Sequence, residues 1–260
     1  MRDVATVAHC FSPDFTPAPL SAVFFLNSHV FLCPAKRHWV ILDVNRDKYL
    51  CVDRAQFESL GPWIDGWQEA HAQSSGPAAR PPPSALALAN NLLSLGILSE
   101  QSHGAKEARA TTYAHPTDAL DLDVAASAYT ARGTTHALSF FLGCASASRQ
   151  LRKQRFESIV AGVQARKRAK RGAARAFDLE RAQPLLAVFT RLRLFYPRPY
   201  LCLFDSLALI HFLARFDLYP DWVFGVRADP FEAHCWVQAG NFALNDTVAR
   251  VSALTPIMTI

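Results

Sequence analysis

No Cys-x-x-C pair occurs among the six cysteines, which stand at positions 10, 33, 51, 144, 202 and 235. That excludes a zinc ribbon or a dithiol motif built on this spacing. No apolar run reaches the roughly 20 residues of a membrane-spanning helix. The longest, Tyr200–Ala214, is interrupted by Asp205, Ser206 and His211. No continuous apolar stretch follows Met1-Arg2-Asp3-Val4, so no secretory signal is expected. These absences predict a cytoplasmic chain, with no membrane partner and most of its thiols reduced and buried. A glycine-rich phosphate loop is also missing, so no nucleotide site and no cofactor are assigned.

What is present is material for a core. Half of the 260 residues are hydrophobic and 19% are charged, enough for one large domain or two small ones. The net charge of +5 is modest but uneven. Between Arg149 and Arg175 lie seven Arg, three Lys and a single acid. Such a stripe can neutralise phosphates. Yet Phe156, Ile159, Val160 and Val163 recur at helical spacing and no recognition motif accompanies them. The stretch reads as an amphipathic helix with a solvated basic face, equally suited to an acidic peptide, and nucleic acid is not an expected partner.

Ala22–Cys33, His38–Asp43 and Lys48–Val52 read as strands, with Asn45-Arg46-Asp47 as turn chemistry between the last two. Asp53 is placed to cap a helix over Arg54–Leu60, and Pro62 to start a further short piece. A breaker-rich loop covers Gln73–Pro83. Ser84 then caps a helix carrying Leu86, Leu88, Leu92, Leu93 and Leu95, which Gly96 closes. Three strands followed by helices form a winged-helix-like α+β module. Residues 101–135 are polar and read as a linker with a short helix over Ala119–Tyr129. A second apolar regime starts near His136. It holds helices at Leu185–Tyr196 and Leu201–Phe216, then strands at Trp222–Arg227, Ala233–Ala239 and Phe242–Asn245, again α+β. The expected domains are 1–100, a linker over 101–135, and 136–260.

Cys202 sits just inside the long apolar helix, where the dipole and free N–H groups favour a thiolate. The same N–H groups suit an oxyanion. His234 lies in a strand, and Asp246 ends the next one, across a Gly240-Asn241 turn. A hairpin turning there pairs position 234 with about 247, which places Asp246 beside His234. A carboxylate so placed orients an imidazole and stabilises its charged form. The bland readings are a packed thiol, a structural histidine and a turn-capping aspartate. Cys235 competes for reactivity, but alternation along a strand points it to the opposite face. Ser206, a turn into the helix, is an alternative nucleophile whose surrounding N–H groups are already bonded. A metal site from His211, His234 and Cys235 lacks ligand spacing, and none is assigned.

The stretch YLCLFDSLALIHFL, followed by VFGVRADPFEAHCWVQAGNFALND, resembles the B protein of lasso-peptide biosynthesis, a leader peptidase of transglutaminase-like, papain-like fold. The pattern is Cys202 with Ser206, Gly225-Val226-Arg227, Pro230-Phe231, Ala233-His234, Trp236-Val237 and Asp246. Cys235 stands where that family commonly has Ala. The resemblance implies a cysteine-protease triad of Cys202, His234 and Asp246. It also implies that residues 22–98 form a precursor-recognition element similar to the small chaperone of pyrroloquinoline-quinone biosynthesis. A leader peptide is then expected to add as a strand along Lys48, Tyr49, Leu50, Cys51 and Val52, with side chains docking on the following helix at Leu88 and Leu92. The implied partners are a lasso precursor and an asparagine-synthetase-like cyclase. Two other functions stay open: an acyl transferase or amidase on the same triad, and a non-catalytic leader-binding scaffold.

Overall fold

The computed structural model describes residues 24–67, 81–119, 133–170 and 177–260. Cys10, most of the Gln73–Pro83 loop, nearly all of the expected 119–129 helix, and Arg171 and Arg175 lie outside the described residues. The chain divides into two compact units, one comprising Met1–Thr111 with Ala228–Pro230, the other Thr112–Arg227 and Phe231–Ile260.

In the first unit, β2 (Val30–Ala35), β3 (His38–Asp43) and β4 (Lys48–Asp53) form an antiparallel meander in the order β2-β3-β4. The expected single strand over 22–33 is in fact two. β1 (Phe25–Asn27) leaves the meander and pairs instead with β5 (Leu98–Ser99) and β6 (Ala105–Lys106). The break falls at Ser28-His29, beside Asn27, whose side chain donates to the Gly96 carbonyl at 2.8 Å. Asn and Ser are turn formers, and here they outweigh the apolar run around them. β6 also takes up part of the segment expected to be a polar linker.

Asp53 caps α1 (Arg54–Leu60) by accepting from the Gln56 N–H at 3.1 Å, and a 3₁₀ turn over Gly61–Trp63 carries Pro62 in its first positions. α2 (Pro83–Ser94) starts two residues earlier than a cap at Ser84 implies: its N-cap is Pro82, and it has no side-chain cap. Pro83 has no N–H to satisfy and its ring presets the helical φ. Gly96, at φ 62°, closes α2: its N–H returns to Leu93 and that of Ile97 to Leu92, a conformation open to glycine at little cost. Trp39, Ile41, Phe57, Leu60, Leu88 and Leu92 belong to one buried cluster between sheet and helices.

The second unit is built around α6 (Cys202–Ala214), preceded by α3 (Gly133–Lys153), α4 (Phe156–Lys170) and α5 (Leu179–Arg193). Nearly all of α6 from Phe204 to Leu213 is buried, as expected of a helix apolar on every side. Its sheet has the order β11-β8-β9-β10-β7, from Thr255–Thr259, Asp221–Ala228, Phe231–Ala239, Phe242–Ala243 and Asp118–Ala119. α6 packs on β9 on one side and on α3 on the other. Gly143 of α3 permits that approach, since a Cβ there would stand 3.1 Å from the Ala208 carbonyl.

The basic stretch is divided between α3 and α4. α4 buries Phe156, Ile159, Val160 and Val163, as their spacing predicts, but also Lys167. That ammonium is not on a solvated face: it pairs with Asp221 and donates to the Ile260 carbonyl at 2.7 Å. Among the described residues, no helix is long and apolar enough to cross a membrane.

Candidate active site

The segment entering α6 is held by a buried guanidinium. Arg193, 3% exposed at the end of α5, pairs with Asp205 and donates to the carbonyls of Tyr196, Arg198 and Pro199. Asp205 in turn accepts from the Leu201 N–H at 2.7 Å. Leu201 is the N-cap and offers no side-chain oxygen to the helix. Cys202, the first residue of α6, therefore sits where helix N–H groups point at it without a capping side chain in the way.

The hairpin has the register expected from its turn. Ala239 faces Phe242 and Gln238 faces Ala243, and Gly240 adopts φ 55° in the turn. Pairing ends at β10. The chain then bends, with the Asn245 carboxamide accepting from the Val237 N–H at 2.7 Å. This bend carries Asp246 to His234, whose Nε2–H donates to Asp246 Oδ2 at 2.5 Å. Nδ1 is left for the Cys202 sulfur, with which the ring shares a hydrogen bond. Thr247 N–H donates to the other Asp246 oxygen at 2.8 Å.

These contacts set the charges. A hydrogen bond from Cys235, then one from His234, lower the Cys202 thiol to about 4 against a burial that opposes ionisation. Burial of His234 favours the neutral ring, but the bonds to Asp246 and to Cys202 together outweigh it and raise the imidazole to about 9. Burial likewise opposes the Asp246 carboxylate, and the His234 hydrogen bond overrides it, keeping the group below its ordinary value. Between those limits the site is a thiolate–imidazolium pair with an ionised carboxylate behind it.

One expectation about a neighbour needs correction. Cys235 does not point away from the site. α6 lies across β9, so Cys202 and Ser206, one turn apart on the same helix face, both meet residue 235. Ser206 Oγ–H donates to the Cys235 carbonyl at 3.3 Å, and the Cys235 thiol reaches both Ser206 Oγ, at 3.9 Å, and the Cys202 sulfur. Burial keeps that thiol protonated, well above its ordinary value. Ser206 itself is fully buried and accepts from the Asn245 carboxamide at 3.0 Å, so it joins helix, strand and the Asp246 bend. Its hydroxyl is committed to these bonds, which suits it to support rather than attack. Arg193, Asp205 and Asn245 complete the site's frame, and the sequence reading assigned none of them. Asp205 was legible as an acid in the first turn of the helix, and the other two carried no local signal. His211 is held elsewhere, accepting from Arg166 at Nδ1 and donating to Gln150 from Nε2.

The residues expected to bind peptide lie in the first unit. Among the described residues, β4 pairs with β3 alone, whereas β2 also bridges to Ala110 and its Leu32 carbonyl accepts from Thr111. Lys48 is exposed and Tyr49 and Cys51 are half-buried, while Leu50 and Val52 face the core. Leu88 and Leu92 are 7% and 0% exposed within that core. They support the sheet from within and do not offer a docking surface, because helical spacing aligned them with the apolar face.

Among the described residues, no group of three or more His, Cys, Asp and Glu is arranged to hold a metal. No curated protein and no solved structure gives a significant match to the chain. Residues 141–259 match the family model of the transglutaminase-like superfamily, a span that includes Cys202, His234 and Asp246. The C-terminal part of the chain is a transglutaminase-like domain.

Proposed function

We propose that the protein is a cysteine endopeptidase that binds the leader of a ribosomally made lasso-peptide precursor and cleaves it from the core. The observation that carries this reading is the alignment of Cys202, His234 and Asp246, with one imidazole nitrogen on the carboxylate and the other on the sulfur. The Cys202 thiolate attacks the carbonyl that ends the leader. The open N–H groups at the start of α6 face the developing oxyanion. His234 gives its Nδ1 proton to the departing amine, which is the new N-terminus of the core peptide, and a leader thioester remains on sulfur. His234 then takes a proton from water, hydroxide attacks the thioester, and the leader leaves as its carboxylate. Asp246 stays ionised throughout and holds Nε2. A separate asparagine-synthetase-like cyclase would use the freed amine for ring closure with ATP.

The first unit supplies the leader-binding element in this proposal. Its support is the position of β4 at one end of the sheet order among the described residues, with Lys48 exposed and Cys51 half-buried, where a disordered peptide adds as a further strand. Binding there raises the concentration of the scissile bond near Cys202. The superfamily also contains acyltransferases, so an amine could replace water as the acceptor. A precursor peptide incubated with the protein and followed by mass spectrometry, with and without a primary amine, separates these chemistries. The expected result is a leader fragment ending in a free carboxylate even when the amine is present. Cys202→Ala should abolish cleavage and leave leader binding intact. Cleavage by that variant would overturn the enzyme reading, and binding without cleavage by the wild type, with the cyclase added, would favour a scaffold.

A further inference from the structure

We propose that Cys202 and Cys235 form a reversible disulfide on exposure to a peroxide, with Cys235 acting as the resolving thiol for the nucleophile. This rests on the reading of Cys202 as a thiolate and is independent of the peptide substrate. The geometry begins with α6 crossing β9. Ser206 fixes the crossing through its 3.3 Å bond to the Cys235 carbonyl and its 3.9 Å contact with the Cys235 sulfur. One helical turn earlier, the Cys202 sulfur receives both the backbone N–H and the side-chain S–H of Cys235. The two sulfurs are already within hydrogen-bond reach, on elements held together by a buried network.

The chemistry balances with hydrogen peroxide as oxidant. The Cys202 thiolate attacks one peroxide oxygen, the O–O bond breaks, and the departing hydroxide takes the His234 proton to become water. Cys202 is now a sulfenic acid. The Cys235 sulfur attacks it, the S–O bond breaks, and the Cys235 proton leaves with that oxygen as a second water. Each sulfur has given up one electron, and the peroxide has been reduced by two.

Without a second thiol, a sulfenic acid at an accessible thiolate proceeds to sulfinic acid, which thiols do not reverse. Cys235 diverts that path. Direct contact, not acidity, selects Cys235: burial raises its thiol as it raises that of Cys144, but the Cys235 thiol is the one bonded to Cys202. Half-buried Cys202 admits a small oxidant, and Cys235 needs no access to solvent because its partner is internal.

The test treats the full chain with hydrogen peroxide, blocks free thiols with N-ethylmaleimide, and maps the digest by mass spectrometry. The expected product is a Cys202–Cys235 cross-linked peptide two mass units below the reduced pair, restored by dithiothreitol. In Cys235→Ala, and in Cys235→Ser as a second packing variant, Cys202 should gain one and then two oxygens and lose its recovery by dithiothreitol. Wild type that accumulates sulfinic acid at Cys202 with Cys235 still alkylatable would overturn the proposal. So would a cross-link between Cys202 and any other cysteine. Both readouts are masses, so they stand whether or not precursor cleavage is observed.

Discussion

Replacing Asp246 with Asn tests the electrostatic core of the site. The carboxylate is the first of the contacts that raise His234 to about 9, and its loss lets burial pull the imidazole back toward 6.5. The sign follows from the roles. Cleavage needs Cys202 ionised and His234 protonated, so activity rises with pH through about 4 and falls through about 9. In the variant the acid limb stays below neutrality while the alkaline limb moves down. At pH 8 a full return to the ordinary value would cut the imidazolium fraction from about nine-tenths to about one in thirty, a loss of ~30-fold, against less than ~2-fold at pH 6. Misorientation of the ring would add a loss that is the same at every pH. The assay is kcat/KM for precursor cleavage between pH 4 and 10, with Asp246→Glu as the charge-preserving control. An Asp246→Asn profile that keeps the wild-type alkaline limb, whatever its height, would refute the assignment of that carboxylate to His234.

Three further substitutions probe the frame. Arg193→Met leaves Asp205 as an unpaired buried charge and releases three carbonyls of the turn before Cys202, so thermal unfolding should report a loss of ~3–5 kcal/mol. Ser206→Ala removes the acceptor of the Asn245 carboxamide and should cost ~1–2 kcal/mol in urea unfolding, with a lower kcat for cleavage because the Asp246 bend loses its tie to α6. Gly225→Ala sets a Cβ 2.8 Å from the Trp236 ring and 3.1 Å from Leu254 Cβ, and overpacking of ~1–3 kcal/mol should lower the urea midpoint.

Legibility in the sequence followed the range of the interactions. The hairpin at Gly240-Asn241 was readable because its register depends on turn chemistry a few residues away, and the 239–242 pairing has the numbers that turn demands. α6 was readable because an apolar run with a cysteine at its start specifies both burial and a helix terminus. Strand alternation misled at Cys235. It separates neighbouring side chains to the two faces of a sheet, but it cannot say that a helix will lie across one face with its first residue at the level of 235. The same limitation hid Lys167. Helical spacing placed it in line with Val163, while its basic character assigned it to solvent. Asp221 and the Ile260 carbonyl, distant in sequence, made burial tolerable by satisfying its charge and its protons. Leu88 and Leu92 failed in the opposite sense, because an apolar helix face serves a core and a peptide groove equally well and only the packing partner decides. Local chemistry therefore nominated the three groups of the site. The long-range frame of Arg193, Asp205, Ser206 and Asn245 aligns helix start and hairpin end, and it is formed by residues that become neighbours only on folding.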